Sequence, residues 1–202
     1  MVCAMGYRFK KIYFNGCSWT WGSLLDNPHA QRYSKLLCNE LRAEECNFAI
    51  PGGSTRRVAR HMIGHDMSQY ALIIVQMTYN QRTEFYQDNE WKKVKIPMRW
   101  RNPEDLIKYE DFWDRYYRDI YSEKYGSIDE HVYYNFFRSF LKDKPHIIMK
   151  VGDRGKGKER LFSSDPVSGL DYDIRLPECP VGKSHPDAQG HRDICQSILD
   201  IL

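Results

Sequence analysis

Four short apolar runs are spread along this chain, and each is flanked by polar or glycine-rich sequence. They are KIYFN (11–15), CNFAI (46–50), ALIIVQM (71–77) and HIIMKV (146–151). Continuous apolar runs of this length are typical of strands that are buried on both faces. The sequence therefore predicts four strands of one sheet.

Amphipathic segments lie between these runs. SKLLCNELR (34–42) has leucines at helical spacing. Ser54 or Thr55 is expected to cap the next helix. Residues 188–202 have apolar residues at helical spacing and predict a last amphipathic helix. Alternating strands and helices favour an α/β fold with a mainly parallel central sheet and right-handed crossovers.

The pattern changes after the third run. Residues 83–97 contain a DNE turn between two alternating arms and predict a hairpin, and aromatic residues recur at helical spacing over 104–125. Gly126 is expected to stop that helix, and Ser127 with Glu130 has the spacing of a capping box for a second helix. We expect an aromatic-rich insertion at about 81–145, followed by a fourth strand and a long loop over 152–184.

Length and composition limit the classes of protein to consider. With 202 residues and 42% hydrophobic content, the chain is expected to form one domain over 1–202. A net charge of +3 gives no argument for nucleic acid binding. No signal peptide or apolar run of membrane-spanning length is evident, which favours a cytoplasmic protein without a membrane span. The cysteines form no CxxC pair, so we expect unpaired thiols and no metal site.

Polar residues follow the predicted strands where ligands bind in open parallel sheets. Ser18 follows the first strand, Gly52 the second and Asn80 the third, and His185 precedes the last helix. A serine, a glycine turn, an amide side chain and a histidine suit acyl transfer. Ser18 would attack and His185 would take its proton. The backbone amides of Ser18 and Gly52, with the Asn80 side chain, would hold the oxyanion.

Each of these residues also has an ordinary structural interpretation. Ser18 is alternatively a helix cap, and Asn80 a turn residue. Gly53 is as well placed as Gly52 on spacing alone. Arg82 lies close enough to the third strand to reach the rim of a pocket, where it would bind a carboxylate or phosphate of the substrate or form a surface ion pair.

Four segments of the chain carry a resemblance to a known superfamily. GCSWTWG (16–22), NFAIPGGS (47–54), TYNQ (78–81) and SHPDAQGHR (184–192) resemble, in order, the GDS, N-x-x-x-x-G, GTND and histidine blocks of the SGNH hydrolases, the GDSL-type esterases and lipases. The resemblance covers most of the chain. It implies a flavodoxin-like three-layer α/β/α sandwich and hydrolysis of carboxylic esters, often acyl or acetyl esters on sugars or lipids, with no cofactor.

Four positions depart from the superfamily's pattern. Cys17 replaces the acidic residue of the GDS block, and Thr78 and Gln81 replace the glycine and the aspartate of the GTND block. Gly182 stands where the superfamily has its triad acid. An acid that orients the histidine would then come from elsewhere, and the nearby candidates are Asp171, Asp173 and Glu178. A backbone carbonyl is the other alternative.

The sequence thus predicts a serine-dependent hydrolase that acts on a small-molecule or glycan ester through a covalent acyl-enzyme. Two alternatives remain open. One is a catalytically impaired SGNH fold that binds a glycan or a protein, because fold alone does not determine activity. The other is an acyltransferase with the same residues. The sequence gives no oligomeric state.

Overall fold

The structure is a computed structural model that describes residues 10–80, 82–93, 116, 121–150, 160–164, 171–175 and 185–202. For 160–164, 171–175 and Glu123, it describes the backbone alone. The strands are β1 (Lys11–Asn15), β2 (Glu44–Asn47), β3 (Leu72–Met77), β4 (Glu84–Gln87), β5 (Glu90–Lys93), β6 (His146–Lys150), β7 (Arg160–Ser164) and β8 (Asp171–Arg175). The helices are α1 (Ser18–Trp21), α2 (Pro28–Gln31), α3 (Tyr33–Glu40), α4 (Thr55–Ile63), α5 (Glu123–Phe140) and α6 (Ala188–Leu199).

Four strands form the central sheet, in the order β2-β1-β3-β6, and every neighbouring pair is parallel. Ile12 pairs with Leu72, and Ile73 pairs with His146. The α/β class and the parallel sheet that the alternation predicts are confirmed.

Side chains alternate between the two faces of the sheet and produce two hydrophobic cores. On one face, Phe14 and Ile74 pack in a cluster with Leu37 of α3 and Ile194 of α6. On the other face, Tyr13, Ile73 and Val75 pack with Val58 of α4 and Phe137 of α5. Helices therefore cover both faces, which confirms the three-layer α/β/α architecture.

The apolar pattern placed the second strand too far along the chain. The expected strand was 46–50, but β2 covers Glu44–Asn47 and is the edge of the sheet, where polar residues are tolerated. The side-chain oxygen of Asn47 accepts a hydrogen bond from the Ala49 N–H, and this local bond turns the chain after the strand.

The predicted helix boundary at Gly126 is wrong. Helix α5 begins at Glu123 and continues through Gly126, and the hydroxyl of Ser122 caps it by accepting from the Tyr125 N–H. Gly126 is buried, and a Cβ there would meet the Tyr121 side chain. Close packing, rather than a helix stop, therefore explains this glycine. Most of the helix expected over 104–125 lies outside the described residues.

The remaining expectations have mixed outcomes. The hairpin is confirmed as β4 and β5, which are antiparallel and joined by Asp88 and Asn89 at φ of 53° and 60°. The long loop expected over 152–184 is wrong for 160–164 and 171–175, whose backbones pair as antiparallel strands. Among the described residues, no helix combines the length and apolarity that crossing a membrane requires.

Candidate active site

Ser18 lies where the chain leaves β1 and enters α1. It is the first residue of that helix, and Cys17 occupies the N-cap position without a capping hydrogen bond from its side chain. Only 5% of Ser18 is exposed. Its hydroxyl is therefore not the cap of the helix, which was the alternative interpretation of this serine.

His185 approaches Ser18 from the other end of the chain. The Nε2 atom of His185 lies 2.7 Å from the Oγ atom of Ser18. Two residues later, Asp187 caps α6 by accepting a hydrogen bond from the Gly190 N–H at 2.9 Å, which fixes the start of the helix close to His185. The serine hydroxyl can donate to Nε2 when the ring proton is on Nδ1. This is the contact that a nucleophile and its general base require.

The position of this pair follows from the topology. After β1 the chain forms β2 on one side and then returns to form β3 on the other, so the strand order reverses between β1 and β3. Ligands in open α/β sheets bind in the crevice at such a switch point. Ser18 follows β1, and Thr78 and Asn80 follow β3 at the same edge.

Gln76 of β3, for which the sequence predicted no role, supports the turn over residues 16–20 that carries Ser18, which we call the serine turn. Its buried Oε1 accepts hydrogen bonds from the Thr20 hydroxyl at 2.7 Å and from the Cys17 N–H at 3.3 Å. A Cβ on Gly16 would lie 2.7 Å from the same oxygen, so only glycine fits between β1 and Gln76. One amide oxygen thus holds both ends of the segment that carries Ser18.

Asn47 supports the same turn from the side. Its Nδ2 atom donates to the Thr20 carbonyl and to the Ser34 hydroxyl, each at 2.9 Å. Asn47 is the first residue of the second block, so the motif indicated this position but not the contact that it makes.

The glycine turn after β2 packs against the serine turn. A Cβ on Gly53 would lie 3.0 Å from the Gly16 carbonyl, and the Gly53 N–H already donates to the Ile50 carbonyl at 3.0 Å. Gly52 is exposed, has a φ of +72° and would have open space around a Cβ. Because the Gly53 amide is engaged, the structure favours Gly52 over Gly53 as the candidate oxyanion donor.

Asn80 lies at the carboxyl edge of the sheet, but its amide points to a neighbouring pocket. Its Nδ2 atom donates to Oε2 of Glu130 at 2.9 Å, and Glu130 also pairs with Lys150 at 2.5 Å. No contact between Asn80 and Ser18 is present. Its role as an oxyanion donor stays a prediction, and it would use the second N–H of the same amide.

Arg82 lies in that pocket, which has a volume of about 90 Å³. Its guanidinium stacks over the Tyr79 ring, with the central carbon 4.8 Å from the ring centre. Tyrosines dominate the walls: Tyr79, Tyr116, Tyr121, Tyr125 and Tyr133. Burial raises the pKa of Tyr116 and of Tyr133, so both phenols are neutral hydrogen-bond donors at neutral pH.

The candidates for the orienting acid cannot be placed at the level of side chains. Asp171 and Asp173 belong to β8, of which the backbone is described, and Glu178 and Gly182 lie outside the described residues. The group that orients His185 therefore stays a prediction from the sequence. Within the described part of the chain, no cluster of three or more His, Cys, Asp or Glu residues could hold a metal ion.

His191 is the second histidine of the HPDAQGH segment, and it is fully buried. Its Nδ1 atom accepts a hydrogen bond from the Tyr33 N–H at 3.1 Å, and its ring stacks on Tyr33. Burial lowers its pKa to about 4. His191 therefore joins α6 to the start of α3 as a neutral ring.

Two solved structures are similar to this chain. A protein assigned to the lipolytic G-D-S-L family from Desulfitobacterium hafniense DCB-2 has 11% identity and a TM-score of 0.44, with 96% of this chain and 99% of that chain covered. LAE5, an α/β hydrolase from the metagenome of Lake Arreo, Spain, has 20% identity and a TM-score of 0.27. Only 36% of this chain and 40% of that hydrolase are covered.

At such TM-scores, neither likeness adds to the fold and site derived from this chain's own residues. No model of a known protein family matches the sequence. A search among curated proteins also finds no match.

Proposed function

We propose that this protein is a serine-dependent hydrolase of carboxylic esters that forms a covalent acyl-enzyme. The observation that carries the proposal is the 2.7 Å distance between Ser18 Oγ and His185 Nε2. It joins residues 167 positions apart at the topological switch point of the sheet. The order of the four motif segments, which resembles that of SGNH hydrolases, supports the same reaction.

In the first step, Ser18 Oγ attacks the ester carbonyl carbon and its proton passes to Nε2 of His185. The carbonyl oxygen becomes an oxyanion, which the backbone amides of Ser18 and Gly52 would stabilise. The C–O bond to the alcohol then breaks, and the leaving alkoxide takes the proton from His185. An acyl-enzyme and a free alcohol result.

In the second step, a water molecule attacks the acyl carbon while His185 Nε2 removes one of its protons. The bond to Ser18 Oγ breaks, and the proton on His185 returns to the serine. The products are the free acid and the starting enzyme. Acyl transfer to another alcohol would use the same residues.

Turnover of small acetyl esters tests the proposal. Ser18→Ala removes the attacking oxygen, so we expect kcat/KM for 4-nitrophenyl acetate to fall by about 10³-fold or more. Ser23→Ala is the matched control, because Ser23 contacts Ser18 through its own backbone N–H, at 2.9 Å from the Ser18 carbonyl, and keeps that bond in the variant.

Two results would contradict the proposal. One is a folded Ser18→Ala variant that retains wild-type turnover. The other is a folded wild-type protein that hydrolyses no ester across a panel of acyl and acetyl esters, including acetylated sugars, which would favour a binding module instead.

A further inference from the structure

The tyrosine-walled pocket is lined by an arginine, Arg82, that has one unsatisfied nitrogen among the described residues. The Nη1 atom of Arg82 is buried, and it has no hydrogen-bond partner among the described residues. Leaving a buried donor unsatisfied is unfavourable, and more so when the group is charged. A buried guanidinium N–H that lines a pocket is thus preorganised to donate to a ligand.

Other partly buried arginines in the described residues are satisfied within the protein. Arg32 forms two hydrogen bonds of 2.8 Å to the carboxylate of Glu45. Arg60 binds Glu84 in the same way, and Arg57 donates to Asn15 and to the Phe48 carbonyl. Arg82 differs from all three because its Nη1 atom is buried without a hydrogen-bond partner among the described residues, and because the residue lines the pocket.

The charges around the pocket favour an anion. The carboxylate of Glu130 is already paired with Lys150, and it also accepts a hydrogen bond from the amide of Asn80. Arg56, which also lines the pocket, is exposed and forms no ion pair within the described residues. Within the described residues, the lining therefore has two arginines and one carboxylate without an ion pair, that of Asp129, which leaves an excess of one positive charge.

The pocket and the candidate nucleophile lie at the same edge of the sheet. Asn80 follows β3, Thr55 begins α4, and the hydroxyl of Thr55 accepts a hydrogen bond from the Thr78 N–H at 2.9 Å. Ser18 follows β1, the neighbour of β3 in the sheet, and neighbouring strands lie about 5 Å apart. An ester held at Ser18 can therefore extend a short substituent into the pocket.

We propose that Arg82, with Arg56, forms a subsite for an oxyanion group of the substrate, a carboxylate or a phosphate. This inference rests on the proposed ester hydrolase function and defines its substrates as esters that carry a negative charge a short distance from the ester bond. The guanidinium fork of Arg82 donates to the anion, and the neutral phenol of Tyr133 supplies a further donor.

The first experiment measures binding and requires no turnover. Inorganic phosphate and succinate are titrated separately into the protein by calorimetry at constant ionic strength. We expect at least one anion to bind wild type and Arg82→Gln to weaken it by about tenfold or more. Arg82→Lys keeps the charge but lacks the fork, so an intermediate affinity is expected. The tighter anion identifies the group as phosphate or carboxylate.

Arg138→Gln is the matched control. Arg138 also stacks over a tyrosine, with its guanidinium carbon 5.8 Å from the centre of the Tyr134 ring, but it is exposed and does not line the pocket. Its variant should bind the anion as wild type does. Binding of neither anion to wild type would overturn the subsite, and so would equal affinity in a folded Arg82→Gln variant.

The second experiment compares two substrates of the wild-type protein. We expect kcat/KM for 4-nitrophenyl hydrogen succinate, or for an acetyl ester of glycerol phosphate if phosphate binds more tightly, to exceed that of its uncharged counterpart by about tenfold. Turnover of neutral esters without anion binding would overturn the subsite and leave the hydrolase proposal intact. Anion binding that depends on Arg82, without turnover of any ester, would contradict the hydrolase proposal alone.

Discussion

At the scale of single residues, the geometry of the serine turn depends on one buried amide. Gln76 accepts hydrogen bonds from both Cys17 and Thr20, the residues on either side of the Ser18–Trp19 pair. It touches neither Ser18 Oγ nor the place where an ester would bind. Gln76 is thus a positioning residue, whose effect on chemistry passes through the backbone that carries the nucleophile.

Replacing Gln76 by methionine keeps its approximate volume but removes the acceptor. The Cys17 N–H would lose its partner, and the Thr20 hydroxyl would keep only the Tyr33 hydroxyl at 2.9 Å, which costs about 1 to 3 kcal/mol in the free energy of unfolding. Because Ser18 would be less well fixed, we expect kcat to fall by about tenfold or more while KM changes little. Steady-state kinetics on 4-nitrophenyl acetate, with urea unfolding, measures both effects.

Gln196→Met is the control for that substitution. Gln196 is exposed on α6 and donates only to Asp200. Its variant should keep the wild-type kcat. A folded Gln76→Met variant with wild-type kcat would show that the serine turn does not depend on this amide.

The sequence predicted Ser18 and His185 as a pair because each belongs to a short motif at the end of an element, and the structure brings them together. Gln76 gave no such signal, since a single glutamine in a buried run looks like any interruption of an apolar strand. The missing hydrogen-bond partner of Arg82 Nη1 among the described residues could not be predicted either, because it depends on which residues from distant segments reach this atom.

At the scale of elements, an ion pair connects the β4–β5 hairpin to α4. Arg60 binds the carboxylate of Glu84 at 2.7 and 3.0 Å and also stacks over the Trp91 ring. The Lys93 ammonium donates to the Pro51 carbonyl at 2.9 Å, so the hairpin also contacts the turn that contains Gly52. The hairpin therefore supports the turn that holds the candidate oxyanion donor.

Arg60→Met tests this connection. The Glu84 side chain is 3% exposed and would lose its cation, whereas 36% of the Arg60 side chain is exposed, so the pair is only partly desolvated. We expect a loss of about 2 kcal/mol in the free energy of unfolding and faster hydrogen exchange of the amides of 84–93. Asp88→Asn, which breaks the more exposed pair with Lys92, should leave exchange in the rest of the hairpin unchanged. Unaltered exchange in Arg60→Met would contradict the proposed support.

The period of the hydrophobic pattern was enough to identify most elements, but not all of their boundaries. β3 and β6 are continuous apolar runs and were predicted within one residue. The start of α5 was misplaced, because Gly126 reads as a stop in the sequence, whereas in the structure it is the place where Tyr121 and Asn80 approach the helix. Such contacts between distant segments leave no local signal.

At the scale of the whole molecule, the junction of α3 and α6 contains a buried histidine that must remain neutral. Burial lowers the pKa of His191 from 6.5 to about 4. Its Nδ1 atom accepts the Tyr33 N–H, so protonation would break that bond as well as place a charge in the core. Between pH 6.5 and 4, the unfolded chain takes up this proton and the folded protein does not.

The protein should therefore lose stability as the pH falls through this window, by roughly 3 kcal/mol from His191. His191→Asn offers an oxygen in place of Nδ1 and does not titrate, so its free energy of unfolding should depend less on pH between 7 and 5. Burial also lowers the pKa of His61 to about 4. Part of the pH dependence of the free energy of unfolding therefore remains in the variant. Equal slopes for wild type and His191→Asn in urea unfolding would contradict this account.

The alternation of elements predicted the three-layer architecture because strand period, helix period and connection order all indicate one arrangement. Strand order placed Ser18 and Asn80 at the same edge of the sheet. The direction of the Asn80 amide, toward Glu130 rather than toward Ser18, depends on the packing of α5 against the sheet. Sequence patterns do not predict that packing, because it depends on contacts between distant segments.

The most direct test of the central claim, that Ser18 is an activated nucleophile, is reaction with a fluorophosphonate probe. The probe needs no knowledge of the natural ester, because it reports an activated serine hydroxyl. Intact mass of wild type should show a single adduct, and Ser18→Ala, folded by circular dichroism, should show none. An adduct that persists in Ser18→Ala, or the absence of an adduct on folded wild type, would contradict the account.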